Sequence, residues 1–287
     1  ITEWGALSEN WRQQGKLACL SAAKTMPVAV FPETEAELAA VVGLAHAESW
    51  TMLPCGAGSK LSWGGLMPKV DLVVSTARLN QVVAHWVEDF TVRVQAGVRL
   101  ADLQGVLRSH NQFLPIDPLY DNQATLGGSV ATADTGSLRQ RYGGIRDLLI
   151  GVQMVRDDGQ VAKAGGRVVK NVAGYDLMKL MTGSYGTLAM ISELTLKLYP
   201  LPERVQTVQV TGTLDAIAKT ALKIRLAGIT PVAMDWLGGP QLGSTVRLMG
   251  RFEGLAEGVE EQIGRLSALA QAAGAEVSAN DDDVWPT

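Results

Sequence analysis

Residues 54–65 are the first stretch whose types and spacing suggest chemistry: Pro54-Cys55-Gly56-Ala57-Gly58-Ser59-Lys60-Leu61-Ser62-Trp63-Gly64-Gly65. Glycine lets backbone N–H groups come close to an anion, as a pyrophosphate requires. Two standard phosphate motifs fail. A Gly-x-Gly-x-x-Gly dinucleotide fingerprint needs Gly at position 61, where Leu61 stands. A Walker A loop needs Gly-Lys-Ser/Thr, but Lys60 lies between Ser59 and Leu61. Taken alone, the loop is equally a structural turn.

Two more small-residue loops follow. One runs Thr125-Leu126-Gly127-Gly128-Ser129-Val130-Ala131-Thr132, with Gly136 and Tyr142-Gly143-Gly144 downstream. The other holds Gly174-Tyr175-Asp176-Leu177 and then Gly183-Ser184-Tyr185-Gly186-Thr187-Leu188. Three glycine-rich loops separated by strands are hard to explain as turns alone. Other chemically able residues are sparse. His46, His85 and His110 lack metal-ligand spacing. His46 reads as a dipole partner at a helix C-terminus and His110 as a cap. Arg139, Arg141 and Arg146 could hold a carboxylate, but they read more readily as a solvated or subunit-facing loop.

The bulk numbers narrow the class. The chain has 287 residues, 47% hydrophobic and 19% charged, a globular composition with room for one large domain or two smaller ones. The net charge of −4 and the lack of a basic block argue against nucleic acid as a partner. With only Cys19 and Cys55, neither a disulfide scaffold nor a cysteine-ligated iron–sulfur cluster is expected in this chain. The start, Ile1-Thr2-Glu3-Trp4, has neither an initiator Met nor a signal pattern and reads as trimmed. Apolar runs are short, so no transmembrane segment is expected, and the sparse cysteines fit a cytoplasmic location.

Several elements position these loops. Thr34 and Glu37 form a capping box, and Leu38, Val41, Val42 and Ala45 give the following helix one apolar face. Strands are expected at 50–53 and 72–75, on either side of the first loop, and at 91–96. Leu100, Leu103 and Leu107 mark a helix; residues 115–144 read as loop. Strands at 149–155 and 160–164 flank Asp158-Gly159, a hairpin signal. A short helix near Leu177, Leu180 and Met181 and a strand through Leu194, Leu196 and Leu198 follow. Pro200 and Pro202 read as a boundary. Beyond it the order is strand–helix–strand–strand–helix–strand, a ferredoxin-like α/β unit. The Asp281–Asp283 run reads as solvated, and the second domain as incomplete.

The order of motifs resembles a known family. Pro-x-Gly-x-Gly-Ser (54–59), Asp117-Pro118, Thr-Leu-Gly-Gly-x-Val-Ala-Thr (125–132), Tyr142-Gly143, Asp157-Asp158-Gly159, Lys170-Asn171-Val172-Ala173-Gly174-Tyr175-Asp176-Leu177 and Gly-Ser-x-Gly-Thr-Leu (183–188) are similar to the FAD-binding domain of vanillyl-alcohol oxidases and D-lactate dehydrogenases. The likeness covers about residues 27–200. The Lys170–Leu177 run and Lys60-Leu61-Ser62-Trp63-Gly64 most resemble the FAD-binding (E) subunits of glycolate oxidases.

The resemblance implies an α+β chain: a two-subdomain FAD-binding fold of the PCMH type over 1–200, then a partial ferredoxin-like cap over 201–287. It implies that Cys55, Gly56, Ala57, Gly58 and Ser59 hold the FAD pyrophosphate through backbone amides, that Gly127 and Gly128 approach it from the second subdomain, and that Pro54, Lys60, Thr125 and Leu126 are among the cofactor-binding residues. Asp117, Pro118, Ala131 and Thr132 would lie near the flavin ring or ribityl chain, Gly136, Tyr142 and Gly143 along that wall, and Gly186 and Ile191 near the adenine. Relatives with covalent flavin carry His where Ser59 stands, so noncovalent FAD is expected. The implied activity is oxidation of glycolate or another small 2-hydroxy acid. The implied partners are a catalytic flavin subunit and an iron–sulfur subunit, with peripheral membrane association through the complex. The catalytic residues are not assigned, and relatives' His-rich metal site has no counterpart here. A self-sufficient 2-hydroxy acid dehydrogenase and a non-catalytic flavin-holding scaffold stay open.

Overall fold

The computed structural model describes residues 2–3, 28–65, 67–167, 175–280 and 285. Trp4, Trp11, Cys19, the Lys170–Gly174 part of the glycolate-oxidase-like run and Asp281–Asp283 lie outside these residues. The chain forms two compact units. The first comprises Ile1–Leu114, Pro118–Asp134 and Gly144–Tyr199; the second comprises Pro115–Asp117, Thr135–Gly143 and Pro200–Thr287. The sequence reading draws one break at Pro200, whereas the structure also gives two short earlier segments to the second unit.

The first unit has two sheets. Strands β1 (Thr2–Glu3), β2 (Val28–Val30), β3 (Met52–Cys55) and β4 (Leu72–Ser75) form one, in the order β1-β2-β4-β3. Its β2–β4 and β3–β4 pairs are parallel, and the first glycine loop is the connection that leaves β3. Strands β5 (Val82–Trp86), β6 (Thr91–Gln95), β7 (Leu149–Arg156), β8 (Val161–Gly165) and β9 (Ala189–Lys197) form the other, antiparallel, in the order β5-β6-β9-β7-β8. The β7–β8 hairpin turns through Asp157–Gly159, with the Arg156 amide donating to Gln160 O. Gly159 takes φ +82°, the left-handed position this three-residue loop requires.

Helix α1 (Glu35–Ala47) packs between the two sheets. The Thr34 hydroxyl accepts from the Glu37 amide at 3.1 Å, satisfying one free N–H of the first turn. The Glu37 carboxylate reaches back one residue further than a capping box expects, to the Glu33 amide at 2.8 Å. Leu38, Val42 and Ala45 are buried against Leu72 and Val74 on one side and Val155 and Met190 on the other. Helix α2 (Leu100–Arg108) buries Leu100, Leu103 and Leu107 as its spacing predicts. The stretch read as loop holds helices α3 (Leu126–Thr132), α4 (Arg139–Tyr142) and α5 (Ile145–Leu148). A short helix α6 (Leu177–Met181) follows, which buries Met178 and Met181 while Leu180 faces out.

In the second unit, β10 (Arg204–Thr213), β11 (Ala233–Leu237), β12 (Thr245–Gly254) and β13 (Glu276–Asn280) form an antiparallel sheet in the order β11-β12-β10-β13. With α7 (Leu214–Leu226) and α8 (Ala256–Gln271) between strands, this is the ferredoxin-like arrangement. Both helices cover one face, burying Val208, Val210, Leu248 and Phe252 of the sheet with Ile217, Ile224, Val259 and Leu266. Each such fully buried aliphatic side chain contributes about 1.5–3 kcal/mol. A smaller cluster joins Leu138, Val232, Ala233, Met249 and Trp285, with Tyr142 packed against it.

Candidate functional site

The first unit contains a cavity of about 480 Å³, within the usual range for a small-molecule site. Residues 54–60 line it, together with Thr125, Gly127, Gly128, Ala131 and Thr132 of the second glycine segment and residues 185–191 of the third. The three loops singled out in the sequence therefore converge on one space. Its lining also includes the apolar residues Val42, Met52, Val155, Met190 and Ile191.

The first loop reaches this place because β3 is paired parallel to β4 and the chain must turn sharply on leaving it. Ser75 anchors the turn, donating its hydroxyl to Gly56 O at 2.8 Å. A side chain on Gly56 would meet Thr125 Oγ1 at 2.0 Å, so glycine is what lets the loop touch the start of α3. Gly58 holds φ +77°. The amides of Gly56, Ala57, Gly58 and Ser59 donate to no described residue. Four successive backbone donors at a cavity wall need an outside acceptor.

The opposing wall is α3. Its N-cap Thr125 accepts from the Gly128 amide at 3.2 Å. Gly127 packs on strand β6's end, where a Cβ would lie 2.7 Å from that of Ala96. Leu126 does not line the cavity and is fully buried. Two titratable groups of the first loop are unusual. Burial pushes the Cys55 thiol up to about 12, although a hydrogen bond with Ser75 works against this. Burial also draws the Lys60 ammonium below the ordinary lysine range, opposed by the hydrogen bond and charge of Asp134. The Lys60–Asp134 pair measures 2.7 Å, with both side chains almost wholly buried. Asp134 was not singled out in the sequence, because nothing local marks a partner 74 positions away.

The remaining site candidates divide between units. Pro118 is buried in the first; Asp117, Gly136, Tyr142 and Gly143 belong to the second and do not line this cavity. There the Asp117 carboxylate accepts from the amides of Ser137 at 2.8 Å and Leu138 at 3.1 Å. Gly136, at φ +30°, leaves no room for a Cβ beside Asp117. Tyr142 donates its hydroxyl to Glu253 at 2.6 Å; burial, then this carboxylate, raises the phenol's pKa. Arg139, Arg141 and Arg146 are exposed.

Desolvation raises the Asp117 carboxyl to about 6, against an ordinary 3.8, with the nearby Asp235 charge adding to it. Folding thus favours the protonated acid. Its stabilising share is full below the ordinary value and is lost as pH rises through about 6. Relative to Asp117→Asn, the native chain is expected to lose stability across that window, by up to about 3 kcal/mol before solvent screening. Melting temperatures of both proteins at stepped pH check this; a pH-independent gap would refute it.

Comparison with known proteins places the chain in a family. The FAD binding domain family matches residues 26–165. The chain carries an FAD-binding domain. Glycolate oxidase subunit GlcD of Bacillus subtilis (strain 168) is 33% identical over 221 residues, covering 76% of this chain and 47% of that protein. The mitochondrial D-lactate dehydrogenase [cytochrome] of Arabidopsis thaliana is 33% identical over 216 residues, 75% of this chain and 38% of that one. Glycolate oxidase subunit GlcE of Escherichia coli (strain K12) is 38% identical over 115 residues, 40% of this chain and 33% of that one. The chain thus spans about half, or less, of the length of these relatives. A solved alkyldihydroxyacetonephosphate synthase shares the fold, with a TM-score of 0.77 and 20% identity over 91% of this chain and 54% of that one.

The residues of the FAD-binding domain fit the cofactor. The amides at 56–59, which have no acceptor among the described residues, suit a diphosphate, and the apolar part of the lining suits an aromatic base. Among the described residues, no helix is long and apolar enough to cross a membrane, and no group of three or more His, Cys, Asp or Glu could hold a metal.

Proposed function

We propose that this chain is the FAD-binding subunit of a glycolate-oxidising complex, acting on a small 2-hydroxy acid together with a catalytic flavin subunit and passing electrons to an iron–sulfur subunit. The observation that carries the cofactor part is the run of amides at Gly56–Ser59 on the cavity wall, which have no acceptor among the described residues. The substrate and partner parts rest on the likeness to GlcD and GlcE and on the Lys60–Gly64 sequence. Bound FAD supplies an acceptor for two electrons from a C–H bond and a donor to the next carrier. The amides of Gly56–Ser59 hold the diphosphate, α3 adds to the wall, and the apolar lining excludes water from the base.

An anaerobic absorbance spectrum of the flavin-loaded chain, with and without glycolate, tests the division of labour. A flavin band that persists alone but bleaches once both partner subunits are added supports the complex. Bleaching by the isolated chain overturns that division and favours a self-sufficient dehydrogenase, the reading that the D-lactate dehydrogenase likeness supports.

The flavin is proposed to be noncovalent. Ser59 offers no ring nitrogen for attachment, and the Cys55 thiol, pushed up to about 12, supplies almost no thiolate at neutral pH. Acid precipitation of the loaded protein is expected to leave all the yellow colour in the supernatant. Colour retained in the pellet would contradict this.

A further inference from the structure

Lys60 lies in the phosphate-facing loop, yet its ammonium is already engaged. It donates to Asp134 Oδ2 at 2.7 Å and to Ser129 Oγ at 3.4 Å, and it sits 5.5 Å from the centre of the Trp63 ring. Asp134 is no part of the cavity wall. It follows the C-cap of α3, where Ala133 takes φ +53° and the Asp134 amide donates to Ser129 O at 3.0 Å. The other carboxylate oxygen accepts from the Leu119 amide at 3.4 Å. One carboxylate therefore ties together the first loop, helix α3 and the segment at 118–120.

The alternative role, a direct phosphate ligand, leaves less explained. A lysine serving an anion needs its charge free, and here a buried carboxylate neutralises it. The amides of Gly56–Ser59, by contrast, have no acceptor among the described residues. Their spacing from α3 is set at two points only a few residues apart: the Gly56–Thr125 approach and the Lys60–Asp134 pair. The first is a steric limit that stops the walls moving closer. The second is an attraction that stops them moving apart.

We infer that Lys60 and Asp134 form a buried latch that fixes the width of the FAD cavity, making Asp134 a positioning residue for cofactor binding although it does not itself line the cavity. The inference rests on the FAD reading proposed above. The two roles for Lys60 predict opposite outcomes at Asp134. Under the latch, losing either partner opens the walls and weakens FAD. Under a phosphate ligand, losing Asp134 frees the ammonium and leaves FAD as tight or tighter.

The test is equilibrium binding of FAD to the apoprotein, read by flavin fluorescence, for the native chain and for Lys60→Met, Asp134→Asn and Lys60→Arg. Asp134→Asn and Lys60→Met are each expected to weaken FAD by about 10- to 100-fold, a range seen when residues supporting a site's ligands are removed. Lys60→Arg, which keeps the charge, is expected to restore most of the affinity. A single variant left with an unpaired buried charge could fail to fold, so Lys60→Met with Asp134→Leu, which buries none, is measured beside it with far-UV circular dichroism. That double variant is expected to fold and to bind FAD as weakly as Lys60→Met. Native affinity in Asp134→Asn or in the folded double variant overturns the latch. Failure of the native chain to bind FAD would instead sink the cofactor reading.

Discussion

Gly58→Val is expected to yield a folded protein that purifies without flavin. Gly58 sits at φ +77°, where an L-residue costs ~1–2 kcal/mol and a β-branched one more. The backbone relieves that cost by rotating, and the rotation carries the flanking amides of Ala57 and Ser59 away from the diphosphate. The fold is spared because the strain falls in a loop, beyond the last ladder pair of β3 and β4. Gly128→Val is expected to lose flavin by a different route, since its Cβ would stand 3.0 Å from Thr125 Oγ1 and disturb the N-cap of α3. Gly105→Ala is the control: it lies in helix α2 with nothing within 4 Å, so flavin stays and stability rises by roughly 0.5–1 kcal/mol. The ratio of 450 nm to 280 nm absorbance, roughly the flavin-to-protein ratio, reads all three. Full flavin occupancy in both valine variants would remove the loops from the cofactor site.

The largest stability effect is expected from Arg251→Met in the second unit. Arg251 Nε donates to Glu253 Oε1 at 2.8 Å, and the side chains are only 6% and 2% exposed. Methionine keeps most of the volume but leaves the glutamate charge buried with the Tyr142 hydroxyl as a neutral donor. Removing one partner of such a pair costs about 3–5 kcal/mol. Tyr142→Phe removes a single hydrogen bond to the same carboxylate, for about 1–3 kcal/mol. Urea unfolding followed by tryptophan fluorescence, with Trp285 in the adjoining cluster as a reporter, ranks the two. A smaller midpoint shift for Arg251→Met than for Tyr142→Phe would show that the pair is not the buried network the geometry describes.

How much of this was legible in the sequence depended on the range of the interactions involved. The ferredoxin-like unit was visible because each strand and helix there has its own period and its own turn. Ile217 and Ile224 recur at helical spacing, and Val208 and Val210 alternate. Helix α3 was read as loop because two glycines and two β-branched residues erase helical propensity. The one local sign was Thr125 three residues before Gly128, an N-cap pattern with no apolar stripe behind it. The convergence of three glycine loops could be inferred only from their resemblance to a family. The Lys60–Asp134 pair and the docking of Leu138 and Tyr142 onto Val232, Met249 and Trp285 join residues far apart in sequence, and no local pattern encodes them.

The order of strands in the second sheet has a consequence for how the chain is made. Strand β10, the first of the four to be synthesised, ends up paired with β13, the last. Translation must reach Asn280 before the sheet is whole, so a nascent chain spends the synthesis of some seventy residues with one flank of β10 unpaired. At about 5–20 residues per second that is several seconds, long enough for an open strand to capture a neighbour on the same polysome. The segment at 135–143, made still earlier, waits with it for Val232 and Met249 to arrive. A ribosome stalled before residue 276 would therefore display a sticky intermediate, and chaperone occupancy of stalled chains should peak between residues 213 and 276.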